Sequence, residues 1–465
     1  MAVDNLHIRF TTTLGGASNV RAAYVELSAT PADGGADAGT LDAGPPDSGL
    51  PDAGPPDAGL PDAGPPDAGP PDGGPPDAGP PDAGTPDVGT SDGGPPDANV
   101  GLDDGGVSDG GCWPTFGTFG PGNWPPSCWR PYADTSPFNR KLPANPPVYS
   151  GSASMMARIQ GDISHYDAPQ NLVANVSGFT GEPVYYSQPQ DPLFVLHCDA
   201  PWGTCPLEGI GIRIPAGAQV EGGVAADPLK SLYSRPDAHI TVIDQPARLE
   251  YDLWQVQTSP LPASGGPLNV SWGGITRIDG DGVAFAGSGT GAGVGDEAGR
   301  LRAEELLAGR IDHAIAIVID CSNGRFVYPA NASGQTCAQV GLSMVDAPPM
   351  GTRLQLNMTE AEIEALPVPA WKKIVLRAMV EYGMIMTDTG TPHLFAIEQE
   401  GGNQYQSLGY PDPWLDFARR NGWFLYSPDQ NYVGSMRLDA DGVDWRKVWS
   451  RLRVIDPCFS QGTCM

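Results

Sequence analysis

DAHITVID (residues 237–244) and RLEYDLWQVQ (residues 248–257) sit three residues apart, and both alternate with a period of two. Such alternation marks β-strands rather than helix turns, so the pair reads as two adjoining strands joined by a short turn. On the second strand it puts Glu250, Asp252 and Trp254 on one face and Tyr251, Leu253 and Gln255 on the other. The same period recurs upstream in GEPVYYSQ (181–188), PLFVLHC (192–198) and GIRIPAGA (211–218), and downstream in NVSWGGITRI (269–278). DHAIAIVID (312–320), RFVYPA (325–330), RLQLNM (353–358), MIMTDTG (384–390) and HLFAIEQE (393–400) complete the set.

Helical spacing is confined to a few places. ASMMARIQGDI (153–163) carries it, and a short helix is expected over Leu301–Ala308 after a Gly-rich loop, Gly282–Gly299. Thr359 and Glu362 form a capping-box pattern, and Pro369 heads AWKKIVLRAMVEYG (370–383), whose apolar residues suggest burial. Strands mostly follow strands, so the expected class is mainly β, a sandwich or jelly roll with one or two packed helices over residues 112–465.

Upstream of that domain the composition changes. An aspartate recurs at every fifth position from Asp37 to Asp97, in PPDAG-type units. These units have almost no apolar side chains to bury, so the composition predicts a disordered stalk over residues 30–111. Fully extended, the repeat from Asp37 to Asp97 reaches on the order of 190 Å at about 3.1 Å per residue. Residues 1–29 read as the last hairpin of a preceding β-domain. The stalk holds 17 aspartates and no Lys, Arg or Glu, so it accounts for −17 of the net −29 and leaves −12 for the rest. That acidity argues against nucleic-acid phosphates as partners. No apolar run reaches the length of a transmembrane helix.

The eight cysteines fall into local pairs: Cys112/Cys128, Cys198/Cys205, Cys321/Cys337 and Cys458/Cys464. An even count, with no C-x2-C spacing, predicts four sequential disulfides and an oxidising, extracellular or cell-surface location.

The densest polar material lies on the first two strands. Two carboxylates and an indole on one sheet face suit a sugar-binding groove: the indole stacks on a pyranose, and the acids bind hydroxyls or transfer protons. Asp252, Glu250, His239 and His313 are the expected catalytic group, with Trp254 and Asp237 binding substrate. The two histidines are expected to converge beside Asp252, where they would hold a divalent metal or act as base in an elimination. Asp388, just before Gly390, reads as a turn residue. Gly287-Ser-Gly289-Thr-Gly-Ala292 formally fits a dinucleotide fingerprint but sits in no βαβ unit, so no cofactor is expected.

Glu250-Tyr-Asp252-Leu-Trp254 resembles the E-x-D-x-E strand of the glycoside hydrolase family 16 jelly rolls. Trp254 stands where that family carries its acid/base glutamate, so the resemblance implies a concave sandwich more than a retaining mechanism. SPFNRKLPANP (136–146), WGTCPLEGIGIRIPAGA (202–218), RAEELLAGRIDHAIAI (302–317) and EYGMIMTDTG (381–390) resemble an uncharacterised set of secreted bacterial domains. That resemblance implies export and one intact domain. The expectation is therefore a stalk-tethered, monomeric domain that cleaves a polysaccharide by hydrolysis or elimination. Its rival is a non-catalytic glycan-binding or adhesion module.

Overall fold

The computed structural model describes residues 116–162, 170–173, 181–390, 395–421, 435–436, 438 and 442–464. The expected upstream hairpin (1–29) and stalk (30–111) lie outside the described residues.

Helix α1 (Ser152–Asp162) comes first, followed by β1 (Gln170–Val173), β2 (Val184–Tyr186), β3 (Leu193–Cys198) and β4 (Gly211–Arg213). DAHITVID and RLEYDLWQVQ supply β5 (Ile240–Asp244) and β6 (Leu249–Trp254). After them come β7 (Gly266–Val270), β8 (Trp272–Arg277), β9 (Ala284–Gly287), α2 (Ala303–Ala308) and β10 (Ile315–Ile319). β11 (Arg353–Leu356), α3 (Glu360–Glu364), α4 (Ala370–Glu381), β12 (Met384–Thr389) and β13 (Phe395–Ile397) follow. The remaining elements are short: α5 (Asn403–Gln406), α6 (Pro413–Arg420), β14 (Ser435–Met436), α7 (Trp445–Trp449), β15 (Leu452–Val454) and α8 (Pro457–Gln461).

The strands form three sheets, and the domain is mainly β. A seven-stranded sheet has the order β14-β1-β13-β10-β12-β11-β15, a five-stranded one β2-β5-β6-β8-β9, and a three-stranded one β4-β3-β7. Each is mixed: β1 and β13, β2 and β5, β3 and β7, and β10 and β12 run parallel. These ladders do not trace the antiparallel order of a jelly roll. Parallel neighbours need long crossovers, and between β10 and β12 the chain passes through β11, α3 and α4.

Local expectations mostly hold where local chemistry sets the element. Thr359 caps α3 by accepting from the Glu362 N–H, and the Glu362 side chain returns the bond. Pro369 precedes α4, whose Trp371, Ile374, Val375, Leu376 and Met379 are buried. Two expectations fail. RFVYPA forms no strand; its one bridge is Phe326 with Met350, and Pro329 lacks the donor a ladder needs. NVSWGGITRI is two strands, because the chain leaves the three-stranded sheet at Ser271 and enters the five-stranded one at Trp272.

Disulfides close Cys198–Cys205, Cys321–Cys337 and Cys458–Cys464 as expected. Cys128 is also disulfide-bonded, and its expected partner Cys112 lies outside the described residues. Among the described residues no helix is long and apolar enough to cross a membrane.

The five-stranded sheet is covered on both faces. Tyr185, Ile240, Val242, Tyr251 and Leu253 share one apolar cluster with Phe194, Leu196, Leu268 and Val270 of the three-stranded sheet. Val184, Tyr186 and Ile243, on the opposite face, join a larger cluster with Ile315 and Ile317 of the seven-stranded sheet. Glu250 and Asp252 therefore face inward, between two layers.

Candidate functional site

The β5–β6 ladder pairs Thr241 with Asp252 and Ile243 with Glu250, so His239, Thr241, Asp252 and Glu250 share the inward face. What covers that face is the Gly-rich loop. A Cβ on Gly289 would lie 2.4 Å from Asp296 Oδ1 and 2.5 Å from Asp252 Cβ, and one on Gly295 would lie 2.5 Å from the Tyr132 hydroxyl. Only bare backbone fits against the acids. The glycines that mimic a dinucleotide fingerprint are there for this close approach.

The loop brings Asp296 and Arg300 to a cavity lined also by Glu182, His239, Asp388 and Glu398. Its empty space, open solvent included, is about 340 Å³, and the space free to the centres of water-sized particles is about 30 Å³. Glu182 enters just before β2 and is bridged to Glu400, just after β13. Glu221 joins through a 3-10 turn whose Glu221 N–H donates to the His239 carbonyl at 2.9 Å.

Asp388 reaches the cavity through a bulge. In the parallel β10–β12 ladder Ile317 pairs with Met386 and Val318 with Asp388, leaving Thr387 as the extra residue. The Thr387 carbonyl then accepts from the Ala292 N–H of the Gly-rich loop at 2.8 Å. The bulge ties loop to sheet and sets the direction of Asp388, a common arrangement next to binding sites. Asp388 is thus a strand residue and not the turn residue expected; its Oδ1 accepts from the Thr389 N–H at 2.6 Å.

The electrostatics divide the carboxyl groups. Burial alone would raise Glu182, but Arg300 and His239 outweigh it and hold the carboxyl below its usual range. Burial pushes Glu398 up to about 8, helped by the charges of Glu182, Asp388 and Glu221 and opposed by Arg300. Burial and then Glu182 hold Asp296 well above the usual range. His239 is raised although burial opposes it, because Glu182 and Glu221 face it. One cavity therefore holds carboxyls displaced in opposite directions, the pattern from which acid and base roles are read.

The residues singled out from sequence are divided by the fold. His239 lines the cavity. Glu250 lies behind it, accepting from the Tyr132 hydroxyl at 2.6 Å and the Glu297 N–H at 2.9 Å. Asp252 is fully buried; burial, then the charges of Asp296 and Glu250 and a side-chain hydrogen bond with Glu250, hold it well above the usual carboxyl range. His313 is not brought to this group. Its Nε2 contacts Glu305 Oε1 at 3.0 Å and its Nδ1 the Ala314 carbonyl at 3.0 Å, where α2 turns into β10. Away from the cavity, the Arg353 guanidinium donates to the carbonyls of Tyr382, Pro137 and Arg140, and burial pushes it down to about 9.

Trp254 Nε1 donates to Asp237 Oδ1 at 3.1 Å, two residues from His239. Its ring stacks on Trp202 with centroids 5.3 Å apart, and Trp202 meets Trp272 edge-on. Trp202 is 47 % exposed on the loop closed by Cys198–Cys205, so it offers an open aromatic surface.

Glu182, Glu221, Asp296, Arg300 and Glu398 were missed in the sequence because they lie in segments that read as turns or an edge strand. One signal was present: GDEAGR (295–300) sets three charges among glycines and just before a helix. No family model, curated protein or solved structure matches this chain.

Proposed function

We propose that this domain hydrolyses glycosidic bonds by acid–base catalysis at the mouth of the Glu398/Asp388 cavity, as an extracellular, stalk-tethered enzyme. The observation that carries the reading is a single cavity in which Glu398 keeps its proton near neutrality while facing other carboxylates. Glu398 donates that proton to the glycosidic oxygen as the bond to the anomeric carbon breaks. Asp388, anchored by the Thr389 N–H, takes a proton from the water that attacks that carbon. The charge of Glu182 helps keep Glu398 protonated. The local disulfides fit the extracellular location.

The test is reducing-end release from a panel of polysaccharides. Glu398→Gln and Asp388→Asn should each lower turnover by at least about a hundredfold. Activity of the parent should fall as pH rises past about 8, where Glu398 loses its proton. Absence of turnover on every substrate, with retained sugar binding, would support a second reading. In that reading the exposed Trp202 and its stacked partner Trp254 form a platform that holds glycan without cleaving it.

A further inference from the structure

We infer that Glu182, Glu221 and His239 form a binding site for one divalent first-row transition ion of the Zn²⁺ or Mn²⁺ kind. This goes beyond the acid–base reading, which assigns no step to Glu221 or His239 and uses only the charge of Glu182, and binding can be measured without turnover. One donor atom from each of the three residues lies within 4.8 Å of the others. His239 Nδ1 is 2.8 Å from Glu221 Oε2 and 3.5 Å from Glu182 Oε1. Donors about 2.0–2.2 Å from a common ion sit at comparable mutual distances, so closure needs side-chain adjustment only. An imidazole nitrogen with carboxylate oxygens favours Zn²⁺ or Mn²⁺ over the all-oxygen sets of Ca²⁺ and Mg²⁺.

The surroundings are built as a support for such a site. Glu221 is held beside His239 through the carbonyl of the same histidine. The other oxygen of Glu182 is held by Arg300, itself buried. An outer partner of this kind orients a ligating carboxylate. Four carboxyls line the cavity against two basic side chains, His239 and Arg300, and Glu221 adds a fifth. Burying that imbalance is costly unless protons or a cation offset it.

Behind the cavity, Asp252 is fully buried beside Asp296, both in reach of one Gly289 Cβ position. Its cross-strand partner Thr241 donates to Asp296 Oδ2 at 3.4 Å and is two residues from His239 on the same face. The 30 Å³ free to the centres of water-sized particles has room for an ion and on the order of one water.

The competing occupant is a proton: His239 as imidazolium clamping both glutamates. Calorimetric titration of the chelator-treated full chain with Zn²⁺ or Mn²⁺ alone separates the two. The metal site predicts one saturable site distinct from weak binding by the stalk aspartates. Glu221→Gln and His239→Gln should each weaken that site by more than about tenfold, since even outer-shell losses cost that much. The Mn²⁺-loaded parent should show nitrogen coupling from one imidazole in electron spin-echo spectra, a readout that needs no variant. A parent without a saturable site, without nitrogen coupling, or with affinity unchanged in both folded variants would overturn the inference.

Discussion

The two faces of β6 are one residue apart in sequence and opposite in physics. Tyr251 and Leu253 pack into an apolar cluster against the three-stranded sheet, where area removed from water is the gain. Glu250 and Asp252 are equally buried, but on the other face, under a backbone loop and among charges. An alternating strand is ordinarily read as core on one side and solvent on the other. Here both sides are interior, so alternation separates a dry interior from a polar one. The difference teaches that alternation reports which side chains share a face and not whether that face is wet, and that buried carboxyls work against stability unless protons or partners offset them.

Three substitutions sharpen that contrast. On the apolar face, Leu253→Ala should cost about 2–5 kcal/mol in chemical denaturation, because the fully buried side chain leaves a cavity. A cost under about 1 kcal/mol would mean that the two sheets are not tightly packed there. Across the strand, Gly289→Ala should cost about 1–3 kcal/mol by forcing the loop off Asp296 and Asp252. Cavity binding and turnover should fall with it, whereas a loop that merely passes over the acids would accept the methyl group.

The smallest effect is expected from Asp252→Asn, and it is pH-dependent. Burial and neighbouring charges raise this carboxyl in the folded state, so the folded state holds its proton more tightly than the unfolded chain. Its contribution is complete below the unfolded value of about 3.9 and is lost as pH rises through the folded value. The parent melting temperature should therefore decline toward alkaline pH more steeply than that of Asp252→Asn, the two converging at acid pH. Parallel curves from pH 5 to 9 would show that Asp252 is paired in solution.

Where one residue and its neighbours carry the cause, the sequence was enough. The Thr359–Glu362 cap, the helix after Pro369, the sequential cysteine pairs and the period-two strands follow from local hydrogen bonding, short loop closure and alternation. His239 and the shared face of Glu250 and Asp252 were legible for the same reason. Legibility failed where side chains meet across sheets. Nothing local shows that Thr387 is a bulge, that a glycine loop lies over Asp252, or that His313 belongs to Glu305.

From composition and period alone came the mainly β class, the acidic repeat tract, the local disulfides and a strand rich in acids. Only the tertiary structure assembled Glu182, Glu221, Asp296, Asp388 and Glu398 around His239 and Arg300, from segments more than two hundred residues apart. The physical reason is one of range. Secondary structure and loop closure are set over a few neighbouring residues, whereas the protonation and donor geometry of a buried carboxyl depend on whatever packing brings within a few ångströms.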